Sequence, residues 1–319
     1  MKKPLQIQSP STVVMVVPHH FRINPETALD NHFQHAPTSS KIKKVDAQQA
    51  RAEVEAVVSQ LQHAGVRVIR FDDEGTEMPD SVFPNNWFST HADGKLLIYP
   101  MYCCNRQKEI RQDIIDTLQA QFHVKELIDL RAVANPNEAL EGTGSMVFDH
   151  LHQRIYACRS ARTSERLLQL VANSLSYQPV LFDAYDEQQH AIYHTNVMMG
   201  IGTQLAMIGS ANISPLSRRN QVLQTLRSER QLIELNPFQL SQFAGNSYEL
   251  CVGDQALLAI SSRAWKCLDA QQRRIVQSWC VPLICELPSI EAAGGSIRCM
   301  LAGIYLESKP RLLSRHEME

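Results

Sequence analysis

The sequence predicts an α/β protein built as a five-bladed α/β propeller with pseudo-five-fold repeats. Two observations lead there. A strand, turn, strand pattern returns five times: "NNWFSTHADGKLLIYP" from 85, "GTGSMVFDHLHQRIYA" from 142, "HTNVMMGIGTQLAMIG" from 194, "GNSYELCVGDQALLAI" from 245 and "EAAGGSIRCMLAGIYLE" from 291. Aligned on Asn86, Gly144, Asn196, Asn246 and Ser296, the copies are 58, 52, 50 and 50 residues apart, an interval characteristic of a repeat architecture. Each copy also travels with a polar segment of helical period and a further short apolar run.

Each copy opens on small or amide residues, enters an apolar strand, turns at a Gly or Asp, and returns as a second strand. Upstream of each hairpin stands one apolar run: "RVIRFDD", "VKELIDL", "PVLFDAY", "QLIELN" and "VPLICELP". Before those come the helical segments 46–64, 106–121, 163–176, 215–229 and 269–278. Thr163 and Ser164 offer an N-cap, and Pro215 suits a first helical turn. The unit reads helix, strand, loop, strand, turn, strand, and radial repetition of such small sheets avoids long exposed edges. The fifth unit runs out of chain soon after Tyr305. "STVVMVVP", 11–18, is expected to supply its missing outer strand and close the last blade, so that 1–319 forms a single domain. An ordinary edge strand is the alternative for that segment.

The chain has 319 residues, 44% of them hydrophobic and 20% charged, enough to bury a large core. Thirty-one basic residues face thirty-three acidic ones, with no block of like charge, which leaves no footprint for nucleic acid or an anionic membrane. A small-molecule partner is expected. The run Val13 to Val17 is too short and too bounded by proline for a signal or membrane segment, so a cytoplasmic location is expected. The eight cysteines (103, 104, 158, 251, 267, 280, 285 and 299) form no CxxC pair and suit reduced thiols. No metal or other cofactor is expected; "HLH" at 150–152 reads as solvated turn residues.

In a ring, equivalent entry turns gather about the axis, so Asn86, Glu141, His194, Asn246 and Cys299 should converge. Singly, Cys299 reads equally as a small packed hydrophobe, His194 as a core histidine and Glu141 as a surface charge. Together they make a complete set for nucleophilic catalysis: a thiol, a base to take its proton, and a carboxylate to fix the base's tautomer.

The repeat pattern, "GGSIRC", "YHTN" and "LEGTG" resemble the pentein, or guanidino-group-modifying, superfamily of arginine deiminases, dimethylarginine hydrolases and amidinotransferases. "NPETALDNHFQ", "VFPNNWFSTHADG", "EGTGSMVFD", "YHTNVMMGIGT" and "SIEAAGGSIRCM" are most similar to its citrulline-utilisation hydrolases, across essentially the whole chain. The resemblance implies Cys299 as nucleophile, His194 as general acid/base and Glu141 as the acidic residue opening the family's "EGG" motif. It also implies a substrate contact for Arg162, whose alternative is a surface ion pair.

Where deiminases carry an aspartate in "FxxD" and another two residues after the histidine, this chain has Asn86 and Asn196. A guanidinium would lose both counter-charges there, whereas an amide offers donor and acceptor together, matching a ureido group. The resemblance with this change implies a cysteine-dependent hydrolase of L-citrulline. Arginine or dimethylarginine hydrolysis, amidino transfer and a propeller binding module without chemistry stand as alternatives. Asparagines that merely satisfy backbone at turns remain an alternative for Asn86 and Asn196, and Asn246 at the equivalent place favours it.

Overall fold

A computed structural model describes residues 7–34 and 46–310. They form a mixed α/β structure with five separate small sheets. Four share one plan, a short antiparallel hairpin followed by a helical crossover to a parallel outer strand. Phe88–Thr90 pairs antiparallel with Lys95–Ile98, which pairs parallel with Glu126–Asp129 beyond the helix Gln112–Gln121. Met146–Asp149, Arg154–Cys158 and Gln178–Ala184 repeat it, with Ile213–Ser214 added at the outer edge. Met199–Ile201, Leu205–Ile208 and Gln231–Glu234 form the next sheet. Tyr248–Val252, Gln255–Ser261 and Val281–Cys285 form another.

This order corrects the unit read from the sequence. Four of the five apolar runs belong to the hairpin before them, not the one after, and "RVIRFDD" pairs with Thr12–Pro18. A parallel pair requires a long crossover, and the helix between hairpin and outer strand supplies it. A repeating sequence fixes the interval between copies but not where a unit begins.

The fifth sheet joins distant parts of the chain. Thr12–Pro18 pairs antiparallel with Ala302–Gly303 and parallel with Arg67–Asp73. It is therefore the middle strand of that sheet, not the outer strand expected, and Arg67–Asp73 takes the outer place. All seven of its residues are buried. Val13, Met15 and Val17 pack on one face with Val54, Val57 and Leu61, while Val14 and Val16 pack on the other with Phe88, Leu96 and Ile98. Alternate side chains of a strand point to opposite faces, so only a strand apolar on both can sit here. Each such side chain contributes roughly 1.5–3 kcal/mol by burial.

The helices fall where their period places them. Ala47–His63 starts at Asp46, whose side chain accepts from Gln48 N, and Glu165–Leu175 starts at Ser164, which accepts from Leu167 N. Ala270–Trp279 carries a reciprocal cap between Asp269 and Gln272. Pro215 stands at the N-cap of Leu216–Glu229, one residue earlier than expected. No helix among the described residues is long and apolar enough to cross a membrane.

The expectation of solvated histidines at 150–152 fails for His150. It is buried, with its ring 4.2 Å from that of Tyr305 and stacked at 5.5 Å on Phe148. Asp149, His152 and Glu229 lie close enough to share a metal ion. Arg230 donates to both oxygens of Asp149, at 2.8 and 2.7 Å, and Arg154 pairs with Glu229, so cations already compensate both carboxylates.

Candidate active site

Four of the five entry segments are single helical turns: Pro84–Asn86, Gly142–Ser145, Thr195–Val197 and Ile297–Met300. Cys299 therefore rides on a helical turn, not the strand expected after "GGSIRC"; its N–H donates to Ser296 O at 3.0 Å, and the strand begins at Ala302. Two glycines are required by their surroundings. Gly294 has φ +84°, and a Cβ there would lie 2.5 Å from the Asn31 side chain. A Cβ on Gly144 would lie 2.2 Å from Asn86 Nδ2 and 2.7 Å from His194 Cε1, so this glycine lets those two side chains approach.

Glu141 is wholly buried and holds several partners at once. Its Oε2 accepts from His194 Nε2 at 2.8 Å and from Arg162 Nη1 at 3.3 Å, and lies 3.5 Å from Arg106 Nη1. Its Oε1 accepts from Tyr102 N at 2.9 Å. Burial alone would raise its pKa, but Arg162, the His194 hydrogen bond and Arg106 together hold it well below the usual carboxylate range. Burial lowers the pKa of His194, with Glu141 pulling the other way. A neutral imidazole bonded through Nε2 to Glu141 leaves Nδ1 for proton transfer.

The thiol sits among amides. Asn246 Nδ2 donates to Cys299 Sγ at 3.3 Å and Asn196 Nδ2 at 3.6 Å. Asn246 is otherwise fully used: its Oδ1 accepts from Arg298 N at 3.0 Å and its Nδ2 also donates to Asn196 O at 2.9 Å. Asn86 differs. Its Oδ1 accepts from Arg106 Nη2 at 3.1 Å, while its buried Nδ2 has no partner among the described residues.

Arg162, expected to grip a substrate carboxylate or to sit in a surface ion pair, is buried and commits its donors elsewhere. Nε and Nη2 donate to Asp30, Nη1 donates to Glu141, and the guanidinium lies 4.9 Å from the centre of the Tyr193 ring. Tyr193 in turn donates its hydroxyl to Gly294 O at 2.8 Å. Direct contacts thus join Cys299, Asn196 and Asn246 in one group, and His194, Glu141, Arg162, Arg106 and Asn86 in another, with Asn196 two residues beyond His194.

The sequence reading missed Arg106, Glu109, Asp80 and Asp30. Arg106 is buried and forked onto Glu109, with Nε and Nη2 both at 2.9 Å, and lies 3.7 Å from Asp80. Burial pushes Glu109 up to about 7 against the pull of Arg106. The Arg106–Glu109 spacing, i to i+3, was visible, but a charged pair at that spacing is ordinarily a solvated helix face.

The sequence model of the eukaryotic N,N-dimethylarginine dimethylhydrolase family matches residues 17–306. The chain belongs to this family. As a dimethylarginine dimethylhydrolase family member it is a pentein-superfamily enzyme, a hydrolase acting on linear carbon–nitrogen bonds of the guanidino class. No curated protein sequence matches it. Among solved structures it is similar to the N-terminal domain of ArgZ, an arginine dihydrolase of the cyanobacterial ornithine–ammonia cycle, in a Cys-to-Ser variant bound to substrate. The TM-score there is 0.70 at 14% identity, covering 92% of this chain and 98% of that one. The chain spans only 42% of full-length ArgZ. It is also similar to the dimethylarginine dimethylhydrolase of Pseudomonas aeruginosa, in a Cys-to-Ser variant complexed with citrulline, with a TM-score of 0.64 at 14% identity, covering 92% and 98%. These likenesses carry the fold.

Proposed function

We propose that the enzyme hydrolyses L-citrulline to ornithine, carbon dioxide and ammonia through a covalent thio-intermediate on Cys299, as a cytoplasmic ring of five blades. One strand from each of the five sheets contributes to a common cavity, which supports that ring. The observation that carries the substrate is the polarity of Asn86. A guanidinium can only donate, so Arg106 takes the amide oxygen of Asn86 and leaves its Nδ2 as the free group. A free donor suits the carbonyl oxygen of a ureido group. It opposes a guanidinium, which has donors alone.

The Cys299 thiol passes its proton to His194 Nδ1, and sulfur adds to the ureido carbon. The carbon–nitrogen bond to the ornithine side chain breaks as His194 returns the proton to that nitrogen, so no amide anion is expelled. A carbamoyl thioester remains. Water, losing a proton to His194, attacks it; the carbon–sulfur bond breaks, sulfur regains a proton, and carbamate decomposes to ammonia and carbon dioxide. Asn86 Nδ2, buried and unpartnered among the described residues, is the oxyanion donor in this scheme; the Gly294 N–H is spent on Glu291 O at 3.0 Å. Asn196 and Asn246 solvate the sulfur anion, Glu141 fixes the His194 tautomer, and Arg162 positions Glu141 and Asp30.

A second reading, arginine hydrolysis, is favoured by the likeness to ArgZ, an arginine dihydrolase. Purified enzyme offered citrulline, arginine and dimethylarginine separately decides between them. Ornithine from citrulline alone, abolished in Cys299→Ser with the fold retained, is expected. Arginine turned over at least as efficiently as citrulline removes the Asn86 argument, and near-normal turnover by Cys299→Ser removes the covalent one.

A further inference from the structure

Four arginines are buried among the described residues: Arg106, Arg162, Arg230 and Arg298. Three meet carboxylates: Arg106 at Glu109, Arg162 at Asp30 and Glu141, and Arg230 at Asp149. Arg298 meets none within ion-pair distance among the described residues. One N–H of its Nη1 donates to Leu301 O at 2.9 Å, its guanidinium lies 3.9 Å from the centre of the Tyr248 ring, and among the described residues no acceptor meets Nε or Nη2. A guanidinium cannot shed its proton, and a buried cation needs a counter-charge.

Arg298 lines a cavity of about 30 Å³ together with His91, His150, Tyr248 and Tyr305, and no described carboxylate lines it. That volume exceeds what one water needs and admits a very small anion. His91 adds a second open group. Its Nε2 meets Ser89 Oγ at 2.8 Å, and Ser89 Oγ meets Tyr99 OH at 2.6 Å. With Tyr99 donating to Ser89 and Ser89 to Nε2, the hydrogen of the neutral ring sits on Nδ1, which is buried with no partner among the described residues.

We propose that this cavity binds a small monoanion, of the class of chloride or bicarbonate, with Arg298 as its counter-charge and His91 as a neutral donor. The site communicates with the reacting sulfur through two contacts. The Arg298 N–H holds Asn246 Oδ1 at 3.0 Å, and Asn246 Nδ2 holds Cys299 Sγ at 3.3 Å. Chloride would come from the medium; bicarbonate would come from the carbon dioxide released, and that source alone rests on the function proposed above.

The experiment is thermal unfolding of the whole chain in gluconate buffer at fixed ionic strength, with chloride or bicarbonate exchanged in. A ligand of the folded state raises Tm in a saturable way; a rise of about 2–4 °C is expected for wild type, kept in part by Arg298→Lys and lost in Arg298→Gln. The anion that saturates at the lower concentration identifies the source. An equal rise in Arg298→Gln, or none in wild type with either anion, overturns the proposal. Because Arg298→Gln could fail to fold, crystals of the wild-type protein soaked in bromide give an independent reading: an anomalous peak beside Arg298 supports the site, and a peak absent there overturns it. Neither readout depends on turnover, so failure here is distinguishable from failure of the citrulline assignment.

Discussion

The buried charges around Glu141 and those around Arg298 are met in opposite ways. Around Glu141, two arginines are set against Glu141, Glu109 and Asp30, with Asp80 close by. Around Arg298, two histidines and a cation share a cavity that no described carboxylate lines. In the first cluster carboxylates outnumber the two arginines, and burial pushes the pKa of Glu109 up to about 7 and that of Asp80 upward, towards the neutral acids that bring the cluster to balance; what it leaves over for a ligand is neutral, the Nδ2 of Asn86 and the Nδ1 of His194. The second leaves its charge unsettled. A balanced cluster can receive a neutral substrate without a counter-ion, and an unbalanced one calls for an ion.

The contrast breaks most severely at the carboxylate that balances the first cluster. Glu141→Gln takes a negative charge away from Arg162 and Arg106 and leaves one acceptor oxygen where Tyr102 N and His194 Nε2 each use one. A loss of about 10⁴ in kcat is expected by analogy with wrong-tautomer histidines, with roughly 3–5 kcal/mol of stability. Steady-state rates and urea unfolding measure the two. A variant within tenfold of wild type in kcat would mean that His194 is oriented by something else.

Next in size is the difference between two asparagines at equivalent entry turns. Asn86→Asp turns the free donor into an acceptor. The ratio of kcat/KM for citrulline over arginine should fall by about 10²–10³, the worth of one oxyanion donor. Asn246→Asp disturbs the sulfur and should slow both substrates alike, leaving the ratio within a few-fold. If the two variants shift the ratio equally, Asn86 is no more than a turn residue.

The smallest effect belongs to the second cluster. Burial lowers the pKa of His150 to about 3, from an ordinary 6.5. The folded chain therefore binds fewer protons there than the unfolded chain between those values, and stability is full above about pH 6.5 and declines as pH falls towards 3. His150→Gln should remove about 1.4 kcal/mol per pH unit from that decline. Urea midpoints at pH 5.5 and 4.5 test it; an unchanged slope would place the acid sensitivity elsewhere.

The sequence made some of this legible and hid the rest for identifiable reasons. Four hairpins, the helical segments and the pairing of His194 with Glu141 followed from periodicity and from the motif resemblance, because equivalent positions of a repeat carry equivalent geometry. The phase of the repeat did not, since "VKELIDL" looks the same whether it serves the hairpin before or after it. Arg106 and Glu109 were invisible because "NRQKEI" reads as a solvated helix start, and only the tertiary packing turns that pair inward. His150 was misread because a turn in sequence was equated with a surface in space, whereas this turn packs under Tyr305.

The pairing of Thr12–Pro18 with Ala302–Gly303 sets a timetable on the ribosome. Synthesis runs from the amino end, so Thr12–Pro18 can pair with Arg67–Asp73 early but keeps its other edge open until residues 302–303 have emerged. Cys299 lies three residues before that last strand. The Cys299 thiol thus emerges after nearly all of the described strands and helices, so a nascent chain can bury much of its apolar interior well before the candidate nucleophile is set in place.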